Sequence, residues 1–132
     1  AVACFALLEN TLWSGGDDRC LRLWDHKGTC LRTLRGHKGV VLCLTVWQGH
    51  VWSGSKDHRI RVWDEDGHCV KECLGHSGAV ICLQPVGDTL WSGAGDGCLR
   101  IWTAQGRCLR ECAGHRGRVC CMTFANGVVW SG

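Results

Sequence analysis

The sequence predicts an all-β fold assembled from repeated small antiparallel sheets, and three observations predict it. Trp13, Trp52, Trp91 and Trp130 stand 39 residues apart and each opens a Trp-Ser-Gly triplet, a fixed period that marks a repeat architecture. The 132 residues hold 19 Gly, 8 Trp and 12 Cys against one Pro, one Met and no Tyr, as expected of many short elements joined by tight turns. Apolar runs are strand-sized throughout, and none approaches the roughly 18 residues of a membrane span.

One unit shows how each element arises. Val40 to Val46 is a mostly apolar run suited to an inner strand buried on both faces. A short turn at Gln48-Gly49 leads to the second strand, Val51-Trp52-Ser53-Gly54, and the polar turn Lys56-Asp57-His58 leads to the third, Ile60-Arg61-Val62-Trp63, where apolar and polar residues begin to alternate. After Asp64 to Gly67 comes Cys69-Val70-Lys71-Glu72-Cys73-Leu74, polar as an outer edge strand should be. Gly75-His76 then turns the chain into the next unit. Such a sheet cannot cover its own faces and must stack on its neighbours, so the unit is a β-propeller blade. The expected blades are 1–35, 40–74 and 79–113, with half of a fourth at 118–132.

Composition and pattern give no support to several classes. The formal net charge of +3 comes from Lys and Arg interspersed with Asp and Glu, with no basic block that would point to nucleic acid. The apolar opening Ala1 to Leu8 lacks the basic flank of a signal peptide, and its pattern returns downstream, so it is read as a strand.

The Gly-His pairs at Gly36-His37, Gly75-His76 and Gly114-His115, the Ser-Gly strands, the turn acids Asp18, Asp57 and Asp96, and the Trp-Asp dipeptides Trp24-Asp25 and Trp63-Asp64 resemble the WD40 repeat family across the whole chain. The third unit departs from the dipeptide with Trp102-Thr103. The resemblance implies a buried hydrogen-bonded chain of His, Ser, Asp and Trp in each repeat, carried here by His37, Ser53, Asp57 and Trp63 and by His76, Ser92, Asp96 and Trp102. The first unit has Ser14, Asp18 and Trp24 without the His, and the last has His115 and Ser131 alone. The resemblance also implies a larger ring, of about seven blades, of which this chain is a segment. Self-association is the other way to close a ring. It is disfavoured here because two copies bring two half-blades that both consist of inner strands.

Chemical readings of the same residues are weaker. Ser, His and Asp make up the hydrolase triad, but a triad occurs once per active site, whereas this set recurs every 39 residues without a nucleophile elbow. No catalysis and no cofactor are expected. Cys69-x3-Cys73-x2-His76 and Cys108-x3-Cys112-x2-His115 superficially resemble zinc half-sites. Strand residues four apart lie about 13 Å from each other, too far to share an ion. Most of the cysteines follow the repeat and occupy apolar strand positions, where Cys is a small buried hydrophobe, and reduced thiols imply a cytoplasmic protein, with the nucleus as the other intracellular home. Arg22, Arg61 and Arg100 are read as a solvated strand face, with a basic stripe that binds nucleic acid as the lesser alternative.

Function is therefore expected to be docking. The resemblance implies a protein-interaction scaffold or adaptor that holds peptides or domains on the propeller face, and Lys38, Lys56, Ser77, Arg116 and Arg118 in the turns are the candidate contacts. The alternative is a targeting segment of a larger enzyme, such as a ubiquitin ligase or kinase, whose chemistry lies outside this chain.

Overall fold

The computed structural model describes all 132 residues. Three four-stranded antiparallel sheets follow one another, each a simple meander. The first comprises β1 (Val2–Leu8), β2 (Thr11–Gly16), β3 (Leu21–Trp24) and β4 (Cys30–Leu34). The second comprises β5 (Val41–Trp47), β6 (His50–Ser55), β7 (Ile60–Trp63) and β8 (Cys69–Cys73). The third comprises β9 (Val80–Val86), β10 (Thr89–Ala94), β11 (Cys98–Trp102) and β12 (Cys108–Ala113), and β13 (Met122–Ala125) pairs with β14 (Val128–Ser131) in a two-stranded sheet. These are three blades and the inner half of a fourth. No helix is long and apolar enough to cross a membrane.

Turn chemistry repeats with the blades. Between β5 and β6, Gln48 and Gly49 have φ of 52° and 69°, and Trp47 pairs directly with His50. This is a two-residue hairpin with both central residues left-handed, the geometry that matches strand twist. Before β8, Gly67 combines a φ of 87° with a close approach: an added Cβ would lie 2.7 Å from a methyl of Leu34 in the blade before. A register shift recurs where Trp24, Trp63 and Trp102 meet the outer strand, a bulge that re-aims the side chain at that point.

The core lies between blades. One buried cluster joins Trp13, Leu21 and Leu23 of the first blade to Val41, Val51 and Trp63 of the second. The next joins Trp52, Ile60 and Val62 to Val80, Leu90 and Trp102. Inner strands carry this packing, β1 and β2 against β5, β5 and β6 against β9, and β9 against β13. The inner strand β5 is fully buried only at its ends and half-buried between them, less enclosed than its apolar sequence suggests, because it forms an edge of its sheet.

Candidate functional site

In the second blade, Trp63 Nε1–H donates to Ser53 Oγ at 2.8 Å, and Ser53 Oγ lies 2.7 Å from His37 Nε2. His37 Nδ1 lies 2.9 Å from Asp57 Oδ2. One assignment of protons satisfies every atom: the serine hydroxyl donates to Nε2 and the neutral imidazole donates from Nδ1 to the carboxylate. The third blade repeats these distances with Trp102, Ser92, His76 and Asp96. Burial holds both histidines below their ordinary pKa, partly opposed by the facing aspartate. For Asp57 and Asp96, burial alone would raise the carboxyl, but the N–H groups and imidazoles bonded to them keep both below the usual range.

The end units differ. Ser14 still accepts from Trp24 Nε1 at 2.8 Å, but Asp18 has no imidazole and pairs instead with Arg22 at 2.5 Å. His115 reaches Ser131 at 2.7 Å.

The same aspartates hold the turns that enter β5 and β9. Asp57 accepts the backbone N–H of Lys38 at 2.8 Å and of Arg59 at 3.0 Å. Lys56 N–H donates to Val40 O at 2.9 Å, and Ser55 Oγ donates to Gly39 O at 3.0 Å. The turns entering β5 and β9 are thus stapled to the turns between the second and third strands of their blades. Antiparallel connectivity puts both turns at one end of the array, so Lys38, Lys56, Ser77, Arg116 and Arg118 all lie there, exposed. The acids of that end are engaged, Asp17 by the N-terminal amine, Asp18 by Arg22, and Asp57 and Asp96 by His37 and His76. The opposite end carries Glu9, Asp25, Asp64, Glu65, Asp66 and Asp88 in its turns, against Lys27 and Arg107. Charges that look interspersed along the chain are sorted by end, because successive turns alternate between ends. Assigning each turn to its end would have revealed this from the sequence.

The arginine series is not a solvated face. The Arg61 and Arg100 side chains are only 16% and 17% exposed. Arg61 pairs with Glu72 at 2.6 Å and Arg100 pairs with Glu111, each glutamate lying directly opposite on the outer strand. Cross-strand register, invisible in a single strand's pattern, replaces the expected solvated face with ion pairs and also neutralises the alternative basic stripe. The structure also brings Asp64, Asp66 and His68 within 4.8 Å of one another, a cluster that sequence reasoning missed. There Asp64 accepts the N–H of Asp66 and of His68, which closes the turn. All twelve cysteines are free. Burial pushes Cys4 and Cys82 up to about 11 and Cys73 to about 12.

Comparison with known proteins adds a family and two structures. The family described as the IP5P C-F β-propeller matches residues 2–87 and 46–132. The crystal structure of the computationally designed Ika4 protein is 32% identical with a TM-score of 0.90, covering 100% of this chain and 84% of that one. That of the computationally designed Ika8 protein is also 32% identical, with a TM-score of 0.89, covering 100% of this chain and 42% of that one. Those shares put the two chains at about four and about eight periods of 39 residues. No curated protein matches.

Proposed function

The chain belongs to the IP5P C-F β-propeller family, and from that premise we propose that it is a WD-repeat docking platform whose basic end holds an acidic segment of a partner protein. The carrying observation is the charge balance of that end. Lys38 and Lys56 are exposed on stapled turns, with Arg116 and Arg118 exposed at the same end beyond the third blade, while the neighbouring acids are engaged. Fixed backbones carrying free cations bind anionic groups at little cost in ordering. WD-repeat identity is supported by the recurrent His-Ser-Asp-Trp chain. A non-enzymatic role is supported by the burial of Ser53 and Ser92, whose hydroxyls are held between Trp and His, out of reach of a substrate. An intracellular home is supported by the number of free thiols placed in strands.

The test is fluorescence anisotropy with a labelled decaglutamate peptide. Binding should weaken at least tenfold in the double variant Lys38→Glu, Lys56→Glu and stay unchanged in Lys27→Glu at the opposite end. Equal effects of the two variants, or no binding by the native chain, would sink the reading. Tighter binding of a single-stranded oligonucleotide than of the peptide would replace the acidic protein with nucleic acid.

A further inference from the structure

We propose that the cleft between the outer strands of the first and second blades is a site of reversible covalent modification, where Cys69 forms a mixed disulfide with an anionic disulfide of the glutathione class. The cleft has a volume of about 680 Å³, within the range of about 300–1,000 Å³ usual for small-ligand sites. It lies between two complete blades, β4 on one side and β8 on the other. Arg32, Arg35, His68 and the Cys69 thiol line it, the buried Leu34 and Trp63 supply its apolar part, and no carboxylate is among its lining residues.

The repeat supplies its own comparison. Cys30, Cys69 and Cys108 occupy the same place in successive blades, each opposite the third-strand tryptophan at the bulge. Cys69 is exposed, its Sγ accepts from Arg61 Nη1 at 3.6 Å, and its S–H donates to Lys71 O at 3.4 Å. Cys30 is equally exposed but receives no guanidinium, since Arg22 is drawn to Asp18. Cys108 is half-buried, with Arg100 Nη1 at 3.9 Å. Of the three, Cys69 alone joins exposure to a guanidinium donor, the electropositive and accessible setting that separates reactive thiols from inert ones. The carboxylate nearest that guanidinium, Glu72, is engaged by Arg59 and Arg61 together. Arg32 gives Nη1 to Asp66 O at 2.8 Å, which leaves the exposed Arg35 to meet an incoming carboxylate.

The chemistry is thiol–disulfide exchange. The Cys69 sulfur, its proton released to water, attacks one sulfur of the disulfide. The reagent's S–S bond breaks as the new S–S bond forms, and the second glutathione leaves as a thiolate that takes up a proton. Cys69 is oxidised, half of the reagent is reduced, and no further oxidant is required. Excess free thiol reverses the step.

Timed exposure of the 132-residue chain to glutathione disulfide, followed by blocking of free thiols and peptide mass spectrometry, tests the proposal. Cys69 should acquire the adduct about tenfold faster than Cys30, the lower end of the gain from steering into a cleft of one charge. Arg35→Glu, at an exposed position, should slow the reaction of Cys69 with glutathione disulfide several-fold and leave its reaction with the uncharged bis(2-hydroxyethyl) disulfide unchanged. Near-ultraviolet circular dichroism identical to that of the native chain confirms that the variant is folded. Equal rates at Cys69 and Cys30 overturn the proposal. An Arg35→Glu variant that reacts with glutathione disulfide as fast as the native chain, or that slows with both reagents alike, overturns it as well.

Discussion

The second blade and the first share a sequence pattern, yet they differ in what surrounds them. The second is sandwiched. Its Val41, Val51, Trp52 and Trp63 are buried and its His37-Ser53-Asp57-Trp63 chain is complete. The first has one bare face, on which Val2, Phe5, Leu7 and Leu12 are exposed, and its polar set lacks the histidine. In a stacked array the energy of a residue is set largely by whether a neighbour covers it, since a blade alone cannot bury its own apolar faces. Equivalent substitutions in the two blades should therefore have unequal costs.

The largest contrast should come from the third-strand tryptophans. Trp63→Ala removes a ring that is only 2% exposed and should cost about 3–5 kcal/mol in urea unfolding followed by circular dichroism. Trp24→Ala, on a half-buried ring, should cost less than half as much, and equal losses would break the comparison.

Removing the turn aspartate should give a smaller one. Asp96→Ala strands His76 Nδ1–H together with the N–H groups of Ser77 and Cys98, a loss of about 1–3 kcal/mol. Asp18→Ala removes a half-exposed carboxylate paired with Arg22 and should cost no more than about 1 kcal/mol. An unchanged melting temperature for Asp96→Ala would refute the role given to that residue.

Acid should separate the blades most finely. Because His37 and His76 titrate below the unfolded value of 6.5, the unfolded chain binds their protons first. Stability is therefore lost as pH falls below 6.5, down to the folded value. Asp57 and Asp96, held below 3.8, contribute stability above that pH and lose it as pH falls through their folded values. The first blade has no such histidine, so hydrogen exchange just below pH 6.5 should quicken in β5 to β12 before β1 to β4. Uniform quickening would remove the histidines as the cause.

Much of this was legible in advance. Period and strand order follow from spacing, because each blade forms from local hairpins whose turn residues are written in sequence, whereas the pairing of Trp, Ser, His and Asp was implied by the family resemblance. The fate of the arginines was not. Arg61 and Arg100 read as solvated, and Glu72 and Glu111 cover them only because the outer strand pairs in one register. The polarity of the two ends was legible only once successive turns are assigned to alternate ends, since Lys56 and Asp64 belong to neighbouring turns that emerge on opposite sides.

What the sequence determined by itself was the blade, since alternation, glycine turns and a recurring polar set are local and survive in any neighbourhood. The tertiary structure decided which copies of each repeated residue are buried and which face water. It left Val2 and Trp130 open while it closed Val41 and Trp52. The reason is that burial in a stacked array belongs to the joint between blades, and a joint takes its two halves from residues about one period apart.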